Sequence, residues 1–80
     1  MKKFKAIIVD DEQHGRDNLK ALLTKHCTEI EIAGEAASVK EARELVIRLQ
    51  PEVVFLDIRM PVHNGFGLLD YFPERKFVVI

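Results

Sequence analysis

Two stretches of this chain run apolar without a break, and the segments between them repeat apolar residues at helical spacing. Ala6-Ile7-Ile8-Val9 and Val53-Val54-Phe55-Leu56 carry no charge and are rich in β-branched or aromatic residues. Such runs suit strands covered on both faces, as in a parallel sheet. They predict strands from Phe4 to Val9 and from Val53 to Leu56. From about Gln13 to Cys27, the residues Leu19, Leu22, Leu23 and Cys27 (or His26) share one face of a helix. Glu29-Ile30-Glu31-Ile32-Ala33 alternates polar and apolar, which predicts a half-buried edge strand, with Gly34 to Ala37 as the turn after it. Ser38 opens a second helix. Ser38-Val39-Lys40-Glu41 is a capping box, in which Ser38 accepts from an unused backbone N–H and Glu41 reaches back. Val39, Ala42, Leu45, Val46 and Leu49 form its buried stripe, and Pro51 stops it. A loop from Ile58 to about Asn64 follows the third strand. A short helix then runs from Gly65 or Phe66 to Phe72, ahead of Pro73, and Phe77-Val78-Val79-Ile80 reads as a fourth strand.

The order is β-α-β-α-β-α-β, for which parallel strands joined by right-handed helical crossovers are the common solution. The fold class is therefore α/β. Eighty residues, 48% hydrophobic and 31% charged, make one small globular domain of modest stability. A net charge of -1 gives no electrostatic footprint for nucleic acid, so no nucleic acid is expected to bind this segment. The single Cys27 cannot close an internal disulfide and reads as a small buried apolar residue in a reducing compartment. No apolar stretch approaches the roughly 20 residues of a membrane span. The Lys-rich start is followed by only four apolar residues, too few for a signal peptide. A cytoplasmic protein without membrane contact is expected.

Candidate chemistry sits where the two apolar runs stop. Asp10 and Asp11 follow the first run and Asp57 follows the second. In an open α/β sheet, ligands bind in the crevice beyond the carboxyl ends of the strands. If those strands are neighbours, three acids converge on one pocket and ask for a compensating cation. Oxygen-only ligands favour a hard divalent ion, and Mg2+ fits best. Asp11 and Asp57 would ligate it directly and Asp10 mainly through a water, with a loop carbonyl just past Asp57 as a further ligand. A carboxylate beside such an ion can attack a phosphoryl group as a nucleophile.

The segment Asp57-Ile58-Arg59-Met60-Pro61-Val62-His63-Asn64-Gly65 resembles the phosphorylation loop of response-regulator receiver domains. That family shows Asp, two variable residues, Met-Pro, and Gly eight positions after the Asp. Ile8-Val9-Asp10-Asp11-Glu12 is similar to its acidic pair. The resemblance implies a flavodoxin-like sheet of order 2-1-3-4, Asp57 as phosphoacceptor, and Mg2+ held by Asp10, Asp11, Asp57 and the backbone carbonyl of Arg59. It implies a sensor histidine kinase as donor, and a signalling module rather than an enzyme. Glu35-Ala36-Ala37-Ser38 and Asn64-Gly65-Phe66-Gly67-Leu68-Leu69 resemble receivers joined to a LytTR-type DNA-binding domain. For a full-length parent, that implies transcription control through DNA. Receivers also place a Ser or Thr at the end of strand four and a Lys at the end of strand five, and neither falls within residues 1–80. The chain is thus expected to be a receiver domain incomplete at its C-terminus, truncated before the fifth strand. Its fourth strand would then be an exposed edge, so a homo-oligomer is expected.

Other readings carry less. His14, His26 and His63 fit no zinc spacing. Gly65-Phe66-Gly67 is a fragment of a dinucleotide motif after the wrong strand. A Mg2+-dependent phosphohydrolase with an Asp nucleophile would carry Asp-x-Asp after the first strand, whereas the acids here are adjacent. An interaction module that never carries phosphate is the third alternative.

Overall fold

The computed structural model describes residues 3–57 and 66–80. Seven elements follow in order: β1 (Phe4–Val9), α1 (Gln13–His26), β2 (Ile30–Ala36), α2 (Val39–Leu49), β3 (Val53–Leu56), α3 (Phe66–Asp70) and β4 (Val78–Val79). All strand pairs are parallel and the sheet order is β2-β1-β3-β4. This is the parallel α/β sheet that the alternation of elements predicts, in the doubly wound, flavodoxin-like order that the receiver resemblance implies. β1 lies between two neighbours, and Ala6, Ile7, Ile8 and Val9 are all buried, which is why its sequence holds an unbroken apolar run.

Side chains alternate across the sheet and divide the apolar residues between two layers. Ile7, Val9, Ala36 and Val54 face α2 and α3, where they pack with Val39, Ala42, Val46 and Leu68. Ile8 faces α1, beside Leu19 and Phe55. The capping box of α2 forms as its sequence implies. Ser38 Oγ accepts from the Glu41 N–H at 3.2 Å, and Glu41 Oε1 accepts from the Ala37 N–H at 3.0 Å. At the other end Gln50 takes a left-handed conformation (φ 48°) and donates its N–H to Val46 O, ahead of Pro51.

Five local expectations change. β2 continues through Gly34, Glu35 and Ala36, which the sequence pattern assigns to a turn. Gly34 lies in the strand because α2 presses on it: a Cβ there would sit 3.2 Å from Leu49 Cδ1 and 3.3 Å from Leu45 Cδ1. In α1 the sheet-facing stripe runs through Arg16, Leu19 and Leu23, while Leu22 is 57% exposed. The buried stripe is centred on Arg16, Leu19 and Leu23, and Leu22, roughly 100° round the helix from Leu23, falls on its solvent side. Cys27 caps α1 through its backbone and stays partly exposed rather than buried. The third helix ends at Asp70, and two tighter backbone bonds, Tyr71 N to Leu68 O and Phe72 N to Leu69 O, carry the chain to Phe72. The strand predicted over Phe77 to Ile80 is assigned over Val78–Val79, although Ile80 still exchanges backbone bonds with Val54 and Leu56. The loop predicted from Ile58 to Asn64, with Gly65, lies outside the described residues.

Candidate metal and phosphoacceptor site

The site is built by adjacent strand ends. Val9 pairs with Leu56 in the β1–β3 ladder, so the residues that follow, Asp10 and Asp57, emerge side by side. Each is fixed by a backbone bond to a neighbouring strand: Asp57 N–H donates to Val9 O at 2.9 Å, and Asp10 N–H donates to Ala36 O at 3.0 Å. One carboxylate oxygen from each of Asp10, Asp11 and Asp57 lies within 4.8 Å of the others. Asp10 and Asp57 are half-buried and Asp11 is exposed. A pocket beside Asp10 and Asp57 is open to solvent and is also lined by Ile8, Leu19, Phe55 and Ile80.

Asp10 is the most constrained of the three. Its Oδ1 accepts the Glu12 N–H at 2.9 Å, a turn that starts α1. Its other oxygen lies against Gly15, close enough that a Cβ at that position would displace it. With one oxygen engaged, Asp10 suits contact with an ion through water, while Asp11 is exposed and keeps a carboxylate oxygen within 4.8 Å of the other two.

The donor set fits Mg2+. Among the described residues every candidate donor is a hard carboxylate oxygen. Octahedral Mg2+ at about 2.05 Å from its ligands spaces them roughly 2.9 to 4.1 Å apart, within reach of small side-chain movements from a 4.8 Å spread. Three like charges this close also repel by about 1 kcal/mol per pair even in a watery dielectric, which a divalent ion would reverse. The remaining ligand expected from sequence, the carbonyl of Arg59, lies outside the described residues, as do Met60, Pro61, His63 and Gly65. His14 and His26 are exposed, and neither joins the acidic group.

Reasoning from sequence missed the cation beside the acids. Arg16 reaches from α1 to the Asp10 backbone carbonyl and to Glu35 on β2. Its place on the sheet-facing stripe of α1, six residues after Asp10, was the available signal.

Residues 6–80 match the family model of the response regulator receiver domain. The chain belongs to that family. Receivers of this kind serve two-component signalling. The chain is 42% identical over 73 residues to the sensory transduction protein LytT of Bacillus cereus, covering 91% of this chain and 29% of that protein. It is 44% identical over 80 residues to the transcriptional regulatory protein BtsR of Salmonella typhi, covering 96% of this chain and 32% of that protein. The receiver thus spans less than a third of these curated relatives' length. Among solved structures, the response regulator domain of Thermotoga maritima CheB superposes with a TM-score of 0.86 at 29% identity, over 98% of this chain and 58% of that one.

Proposed function

We propose that this receiver accepts a phosphoryl group on Asp57 from a phosphohistidine of a sensor histidine kinase. The observation that carries the reading is the convergence of Asp10, Asp11 and Asp57 at the carboxyl ends of two paired strands. An Asp57 oxygen attacks phosphorus, the P–N bond to the histidine breaks, and the imidazole leaves with the electron pair. Bound Mg2+ would neutralise charge on the phosphoryl oxygens as the transfer proceeds. Asp11, Asp57 and the Arg59 carbonyl would hold it, with Asp10 acting through water. The receiver is a regulatory module in this reading, not an enzyme, and steady turnover of a generic phosphatase substrate would favour a phosphohydrolase instead. Residues 1–80 belong to one receiver domain in this reading, and the protein works in the cytoplasm. In a longer parent it would control a DNA-binding output domain, a reading supported by the likeness to BtsR, which is named a transcriptional regulatory protein.

Calorimetry tests the metal site. The wild-type chain should bind Mg2+, and Asp11→Asn should weaken binding by about tenfold or more, since even a metal's outer partners are worth roughly 10–100-fold. Equal affinity in the two would remove Asp11 from the site.

We also propose that the 80-residue polypeptide self-associates. Among the described residues β4 pairs with β3 alone, and Val78 and Ile80 are 59% and 67% exposed. An open apolar strand edge tends to recruit another strand. Sedimentation equilibrium at micromolar concentration should show a dimer or larger species, and an ideal monomer would refute this.

A further inference from the structure

Arg16 makes more contacts than a surface cation needs. Its side chain is only 12% exposed. One guanidinium nitrogen donates to the backbone carbonyl of Asp10 at 2.6 Å and the other to Gln13 Oε1 at 2.6 Å. Its Nε pairs with Glu35 Oε1 at 3.3 Å, and the second oxygen of Glu35 holds Lys20 Nζ at 3.0 Å. Charge-assisted bonds this short, made by a planar fork, fix direction as well as distance.

Glu35 reaches this position through an irregularity in the sheet. The β1–β2 register runs from Ala6 opposite Ile32 to Ile7 opposite Gly34, so Ala33 is an extra residue in β2. One added residue exchanges the two faces for everything after it. Glu35 is thereby placed opposite Ile8, on the α1 side, where Arg16 and Lys20 meet it. Without the bulge it would point towards α2. Ala36, one residue on, anchors the Asp10 N–H. The Asp10 peptide is therefore held at its N–H by β2 and at its carbonyl by Arg16, while its carboxylate closes the turn to Glu12.

The geometry points to Arg16, oriented by Glu35, as a positioning residue for the acidic loop. It clamps the Asp10 carbonyl so that the Asp10-Asp11-Glu12 turn aims its carboxylates at Asp57. The inference rests on the metal reading above, and its sign separates it from a plain charge effect. A cation beside three acids opposes a divalent ion. If Arg16 acted only through charge, its removal would tighten Mg2+ binding. If it acts as a clamp, its removal weakens binding.

The experiment compares wild type, Arg16→Met, Arg16→Lys and Lys20→Met by Mg2+ calorimetry, and by amide hydrogen exchange without metal. Arg16→Met keeps the stem and loses charge and donors. Arg16→Lys keeps the charge and loses the fork. Lys20→Met removes a charge from the same Glu35 without touching Asp10. Both Arg16 variants should bind Mg2+ roughly tenfold more weakly, in the range of other outer-shell losses. Lys20→Met should bind as tightly as wild type or tighter. The Glu12 amide should exchange faster in both Arg16 variants while the Ile7 and Ile8 amides keep their protection. Unchanged or tighter binding in Arg16→Met overturns the clamp, as does unchanged Glu12 protection. Should Arg16→Met lose protection at Ile7 and Ile8, Arg16→Lys decides by the same two readings. If wild type binds no Mg2+, the metal reading fails, and Glu12 exchange alone then supports or overturns Arg16 as the residue that holds the loop.

Discussion

Asp57→Asn is expected to abolish the acid-labile phosphoryl adduct that an acyl phosphate donor forms with the wild-type chain in Mg2+. In the proposed reaction the carboxylate is the nucleophile, and the product is a mixed anhydride that a carboxamide cannot form. Its neighbours cannot substitute. Asp10 commits one oxygen to the Glu12 N–H and lies against Gly15, and Asp11 is exposed. The change falls at the end of β3 and leaves the backbone bond from Asp57 N–H to Val9 O available, so the variant should stay folded. Labelling of the 80-residue polypeptide itself should be slow. The resemblance gives receivers a Ser or Thr at the end of strand four and a Lys at the end of strand five, neither falls within residues 1–80, and one preorganised donor is worth ~3 kcal/mol of barrier. Intact-protein mass measured over hours checks both points. An adduct that persists in Asp57→Asn would place the acceptor elsewhere.

Ile7→Ala is expected to remove a large share of the domain's stability and to lower its urea midpoint markedly. Ile7 is 0% exposed, lies in the central strand opposite Gly34 and Val54, and belongs to the cluster that joins the sheet to α2 and α3. Truncating a buried Ile to Ala costs about 2–5 kcal/mol, from lost burial and from the cavity left behind. A domain of this size has about 4–12 kcal/mol in total. Ile47→Ala is the control: Ile47 is 62% exposed, and its loss should stay within about 0.5 kcal/mol. Urea unfolding followed by circular dichroism measures both. Equal midpoints for the two variants would contradict the assignment of the core.

Both predictions rest on features that differ in how far local pattern reveals them. β1 and β3 were legible because burial on both faces leaves an unbroken apolar run, and the acids at their ends could be placed once parallel neighbours were assumed. The capping box was legible because Ser38 and Glu41 act within one turn. The end of β2 was not. Gly34 reads as a turn residue in isolation, and its place in the strand is set by Leu45 and Leu49, which arrive from α2. Leu22 failed for a related reason: its apolar character fits the stripe, but Arg16, a charged residue, occupies the inner face instead. The pairing of Arg16 with Glu35 depends on the extra residue at Ala33, and a bulge is a property of two strands together, which neither shows alone.

The central claim is that Asp57 carries the phosphoryl group beside an ion held by Asp10 and Asp11. The most direct measurement treats the labelled chain with borohydride, which reduces an aspartyl phosphate to homoserine and releases phosphate, and then sequences its peptides by mass spectrometry. The account predicts homoserine at position 57, formed only after Mg2+-dependent labelling. Homoserine at position 10 or 11, or at no position despite a stable phosphoryl adduct, would contradict it.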